Sequence, residues 1–324
     1  TGIIDGVGGV MSFVPLIMLI FLQIAFLEDT GYMARMAYML DRIFRIFGLH
    51  GCSVMPFIVG GGIAGGCAVP GVLAARTLRS PREKIATLLT VPFMACGAKL
   101  PVFILFSGVF FPGHEAAVMF GLTLTGWVVA LLTARLLRST IIRGPSTPFV
   151  MELPNYRMPG ARNVAQLLWE KARDFLQKAF TVIFVATILI WFLQTFDLHL
   201  NVVSNSQQSL LAVISGVIAP LFAPMGLGDW RVCTALLTGF MAKESVVSTL
   251  SVLFGTTQSL RDILTPLSVV SLLVFCLLYT PCVAAISSVR RELGGKWACF
   301  VVVAQCVIAW IVAYAVYLLL GMVM

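Results

Sequence analysis

Charge is what this sequence has least of. Asp, Glu, Lys and Arg make up 11% of its 324 residues, against 59% hydrophobic ones. A soluble domain needs about a quarter charged residues to cover its surface. The shortage excludes a water-soluble globular protein, and a mean hydropathy of +0.99 agrees. Short alternating apolar and polar segments are also missing, which excludes a membrane β-barrel. No Gly-Lys-Ser/Thr closes a phosphate loop, so no nucleotide site is legible. No zinc spacing and no nucleophile–base pair stands out, and only three His are present. Eight Cys, mostly inside apolar runs, do not make a disulfide framework. A signal-peptide pattern is absent too. A chain that opens on Thr1 reads as a fragment of a longer protein.

Long apolar runs are what it does have. About 20 apolar residues cross the hydrocarbon as a helix. Six segments qualify: Val10–Leu27, Ile85–Phe111, Ala116–Ala134, Ala179–Phe196, Thr265–Val289 and Trp297–Met324. The expected fold is therefore an all-α polytopic membrane protein. The net charge of +8 comes from basic clusters between these runs. In a soluble chain that excess could suggest nucleic acid; here it sets topology. Arg35–Arg45, Arg76–Lys84, Arg135–Lys178 and Arg290–Lys296 are placed inside. Pro112–Glu115 and Asp197–Gln208, without Lys or Arg, are placed outside.

Two apolar stretches make poor simple helices. Gly51–Ala75 is crowded with Gly, and Val232–Phe254 carries Lys243-Glu244 in its middle. Non-helical backbone at membrane depth is tolerated only inside protein or against a water-filled cavity. Both are read as re-entrant hairpins. Asp29–Phe47 is an amphipathic helix in the interface, and Asn163–Leu176 is a second amphipathic candidate.

The order of parts occurs twice. A span, a segment, a hairpin and a Pro/Cys-broken span run from Val10 to Phe111. They recur from Ala179 to Val289 with opposite starting side. Inverted repeats with interrupted helices mark secondary-transporter folds, with the binding site near the midplane. This divides the chain into a first gate repeat (1–150), a cytoplasmic connector with an amphipathic helix (151–178) and a second gate repeat (179–324).

Cys67, Cys96 and Cys282 each sit beside a helix-breaking residue. Two readings fit. Thiolates suit borderline or soft metals, so three converging thiols would make a metal path. Equally, Cys is a small apolar packing residue. Lys99, Lys243 and Glu244 are ionisable at membrane depth, where function is the default reading. Glu244 is the carboxylate candidate for the cation; a structural pair with Lys243 or Lys99 is the alternative. Glu28 and Asp29 end the first span and could line a cytoplasmic exit, or be solvated helix-end groups.

Several motifs in order resemble a known family. Leu27-Glu28-Asp29-Thr30-Gly31-Tyr32-Met33-Ala34-Arg35 and Pro92-Phe93-Met94-Ala95-Cys96-Gly97-Ala98-Lys99-Leu100-Pro101 are similar to elements of ferrous iron transport protein B (FeoB). Tyr156-Arg157-Met158-Pro159, Lys243-Glu244, Pro281-Cys282-Val283-Ala284 and Arg290-Arg291-Glu292 match as well. Two departures stand out. The family's Asn after the first cysteine is Ala68, and Lys99 stands where Arg is usual.

The resemblance implies the two gate modules of a permease for Fe2+. It implies metal contacts at Cys67, Cys96, Cys282 and Glu244. Pathway or gating roles fall to Lys99, Lys243, Glu28, Asp29 and Met94. It also implies a cytosolic G-protein domain that would bind GTP and Mg2+, absent from this chain. Small accessory proteins of the FeoA and FeoC type, a homo-oligomer, and a bacterial inner membrane location follow in the same way. No catalytic motif lies in the chain itself. The rival readings are a gate-domain transporter of nucleosides, another metal or an organic solute, and a non-transporting membrane regulatory module.

Overall fold

The computed structural model describes residues 15, 18, 19, 21–62, 66–78, 80–140, 142, 156, 160–196, 209–255 and 257–323. Among them the chain is mostly helical, and no strand is present. The first predicted span lies largely outside the described residues; its end, α1, is helical over 21–29. Gly31 adopts a left-handed conformation there, and the chain turns into α2 (Tyr32–Ile46). The first hairpin follows as α3 (Val54–Phe57), a widened turn over Ile58–Gly62, and α4 (Ala68–Ala74).

Next comes a broken span. α5 (Pro81–Thr90) ends in a short turn over Val91–Phe93, the backbone extends through Met94 and Cys96, and α6 (Leu100–Phe110) resumes. Pro92 and Pro101 sit where a helix must restart, because proline cannot continue the hydrogen-bond ladder of the preceding turn. α7 (Glu115–Thr140) then crosses unbroken.

α8 (Ala161–Thr195) is one helix of 35 residues. The expected amphipathic connector helix and the following span are thus continuous, with no break at Lys178. At 1.5 Å per residue it measures about 53 Å, well beyond the roughly 30 Å hydrocarbon core, so one end stands clear of the membrane.

The second copy repeats the first. α9 (Leu210–Phe222) precedes a hairpin made of α10 (Trp230–Met241) and α11 (Ser245–Phe254). α12 (Thr257–Ile263) is short. The second broken span is α13 (Pro266–Leu278) and α14 (Val283–Leu293), and α15 (Gly295–Val323) closes the chain. The copies match in geometry. The chain bends 111° between α2 and Gly51–Gly62, and 107° between Leu210–Met225 and α10. The protein is an integral, multi-pass membrane protein built as an inverted repeat.

Both hairpins fold back. In the first, the Cys67 N–H donates to the Val59 carbonyl at 3.0 Å. In the second, the Thr238 and Thr249 hydroxyls meet at 3.0 Å, and Gly239 leaves room for Val246, whose methyl would lie 2.2 Å from an added Cβ. At the far end of that hairpin the Arg231 guanidinium stands 5.5 Å from the Phe254 ring centroid. Its two ends therefore open on one side, as a re-entrant segment requires.

Several basic groups make contacts far along the chain. Arg76 and Lys84 both bind Glu292, at 2.6 and 2.8 Å. Arg135 donates to the Ile46 carbonyl at 3.3 Å, and the Arg35 guanidinium lies 3.6 Å from the Tyr156 ring centroid.

Candidate functional site

Four residues open the four broken pieces. Cys67 immediately precedes α4, Cys96 precedes the turn into α6, Glu244 precedes α11 and Cys282 precedes α14. They form two repeat-related pairs: Cys67 with Glu244 on the hairpins, Cys96 with Cys282 on the broken spans. A helix N-terminus carries partial positive charge and unpaired N–H groups, so it favours an anionic side chain.

The pieces converge. Cys67 and Cys282 pack on one small apolar cluster, Ala68, Val69 and Ala285, which joins the repeats. Cys67 is within electrostatic reach of Cys282, Cys96 and Glu244. All three thiols are free and partly exposed. The first hairpin is pinned against the first break: Gly97 N–H donates to the Gly66 carbonyl at 2.8 Å. Gly61 presses on the same place. Its φ is +132°, and an added Cβ would stand 2.7 Å from the Ala95 carbonyl oxygen. The glycine-rich approach to Cys67 is needed for that contact.

Lys99 is buried, with 3% of its surface exposed. Its Nζ donates to the carbonyls of Pro92 at 3.2 Å, Met94 at 2.9 Å and Leu277 at 2.5 Å. Three donors thus meet three acceptors. Met94 takes part through its backbone, while its side chain is fully packed. Lys243, also 3% exposed, takes another solution. Its Nζ lies 2.9 Å from the Tyr279 ring centroid and makes no hydrogen bond. A desolvated cation over an aromatic face gains about 2 kcal/mol or more. Neither lysine pairs with Glu244, which is partly exposed at the start of α11. Glu28 is exposed and Asp29 half-buried where α1 ends, remote in sequence from the breaks.

Tyr279 was missed in the sequence because an aromatic face carries no charge pattern; its place beside Pro281-Cys282 was the available signal. Among the described residues, no three His, Cys, Asp or Glu side chains form a group that could hold a metal ion.

Comparison with known proteins places this arrangement. The gate family, described as nucleoside recognition, matches residues 10–110 and 176–296, more than half of the chain. The family described as ferrous iron transport protein B C terminus matches residues 119–171. The chain belongs to the FeoB family. The Fe(2+) transporter FeoB of Staphylococcus aureus (strain MSSA476) is 39% identical over 98% of this chain and 48% of its own length. That of Campylobacter jejuni is 41% identical over 97% of this chain and 54% of its own length. A Porphyromonas gingivalis Fe(2+) transport protein A/Fe(2+) transporter FeoB fusion protein is 36% identical over 98% of this chain and 43% of its length. The chain spans about half the length of the curated relatives it matches. No solved structure matches it. The gate matches cover both hairpins and both broken spans.

Proposed function

We propose that this chain is the permease part of a ferrous iron importer of the bacterial inner membrane. Fe2+ enters from outside, passes Cys96, Cys282, Cys67 and Glu244, and leaves to the cytoplasm as the hairpins move against the spans. The observation that carries the reading is that these four residues open the four broken pieces and three thiols share one neighbourhood. The names of the relatives support iron as the cargo. Ligands spread along a path suit a cargo that must also leave, since a permeation site binds well enough to admit the ion and weakly enough to release it.

In the full-length protein a cytosolic G-protein domain would bind GTP and Mg2+ and gate this path. The fusion relative supports a FeoA-type accessory partner, and a FeoC-type protein and a homo-oligomer are further proposals. Lys243 serves as a pathway or gating residue near the thiols, and Glu28 and Asp29 line a cytoplasmic exit.

Uptake by the full-length protein in proteoliposomes tests the reading. Fe2+ flux should fall when Cys96→Ser or Cys282→Ser is introduced, with protein levels unchanged. Mn2+, Zn2+ and nucleosides serve as competitors. Competition by nucleosides with cysteine-independent flux would instead support the solute-carrier reading. No flux of any kind would support a regulatory module.

A further inference from the structure

The path described above does not explain the surroundings of Lys99. Its ammonium is held by three backbone carbonyls from two different broken spans. Pro92 and Met94 belong to the first break; Leu277 lies in the last turn of α13, at the second. Helix ends leave carbonyls without intrahelical partners. Leu277 is a clear case: the residue four positions on is Pro281, which has no N–H to give. The first break frees its carbonyls in the same way, because the backbone extends at Met94 and Cys96 instead of continuing a helix. Buried carbonyls of this kind need a donor or a cation.

We propose that the carbonyls of Pro92, Met94 and Leu277 form a site for an ammonium-sized monovalent cation, and that Lys99 is its tethered occupant. Lys99 is then a positioning residue. Its side chain fastens the first break to the end of α13, so the junction of the two broken spans moves as one body. The occupied junction is closed to inorganic cations, which leaves the thiol side as the way through. The motion of alternating access falls to the hairpins, to which Lys99 donates no hydrogen bond.

The test uses the full-length protein in nanodiscs and reads thermal unfolding. Lys99→Ala should lower the melting temperature by roughly 5 °C or more. Ammonium or methylammonium chloride should restore it with a saturating dose dependence. Tetramethylammonium chloride at equal ionic strength is too large for the site and should not. Wild type should respond to none of them. An unchanged melting temperature, no restoration, or equal restoration by tetramethylammonium would overturn the proposal. Lys99→Gln and Lys99→Met supply a second comparison, read both by melting and by level in the membrane, so a variant too unstable to purify is still scored. The Gln variant, which keeps two donors, should exceed the Met variant, which keeps only volume. Equal or reversed ranking would mean that Lys99 acts by packing, and the proposal fails. Iron flux enters neither readout, so failure here leaves the cysteine reading standing.

Discussion

Glu244 sits at the turn of the second hairpin, between Lys243 and the first residue of α11. A carboxylate in hydrocarbon would be too costly to persist; here it is partly exposed at the start of a helix, where the local field favours an anion. Glu244→Gln keeps the shape and removes the charge. Fe2+ uptake should fall at least about tenfold, since even outer-shell partners of a metal cost that much, while the melting temperature barely moves. Normal uptake in this variant would remove Glu244 from the path. Lys243 offers a sharper contrast. The Tyr279 hydroxyl makes no hydrogen bond, so Tyr279→Phe should be nearly neutral in thermal unfolding. Tyr279→Leu removes the ring beneath the ammonium and should cost about 2 kcal/mol or more. At this scale the sequence shows which groups at depth are ionisable, because such a residue in an apolar run is conspicuous. It does not show what satisfies them. Lys99 is answered by backbone oxygens and Lys243 by a ring face, and neither partner carries a charge that would announce it.

The helices were legible wherever proline, glycine or cysteine interrupts an apolar run. Pro92 beside Cys96 and Pro281 beside Cys282 mark the two breaks because proline ends a ladder whatever surrounds it. Gly51–Ala75 reads as a hairpin because a run of glycines tolerates close backbone approach. Gly61→Ala tests that cause. Its positive φ alone should cost about 1–3 kcal/mol, with the collision at Ala95 added, seen as a lower melting temperature or poor membrane accumulation. A Cys probe at Gly228 and another at Thr257, in a background cleared of reactive thiols, should both label from outside. Labelling at only one would mean that α10 and α11 form a single crossing. The continuity of α8 was not legible. Its composition changes from amphipathic to apolar near Lys178, but helix propensity does not change there, and hydropathy reports burial instead of backbone continuity.

Across the whole molecule the repeat was visible as an order of parts, and the paired bends of 111° and 107° give it geometry. What the order could not reveal is how the repeats are fastened by side chains. Glu292, 6% exposed, accepts from Arg76 and Lys84, more than 200 residues away in the chain. Arg76 is 59% exposed, so solvent screens that half of the tie. Glu292→Gln should cost only about 1 kcal/mol in stability, yet it should raise the labelling rate of a Cys placed at Arg82 by loosening the first hairpin from α14. An unchanged rate would mean that the tie does not hold that face shut. The length of α8 has a mechanical consequence. It packs on α9, α10 and α14, and Cys282 immediately precedes α14. An unbroken rod does not absorb a push by flexing at a joint. A tilt of α8 is carried along its whole length to α14, the piece that Cys282 opens, which makes α8 a lever acting on that piece.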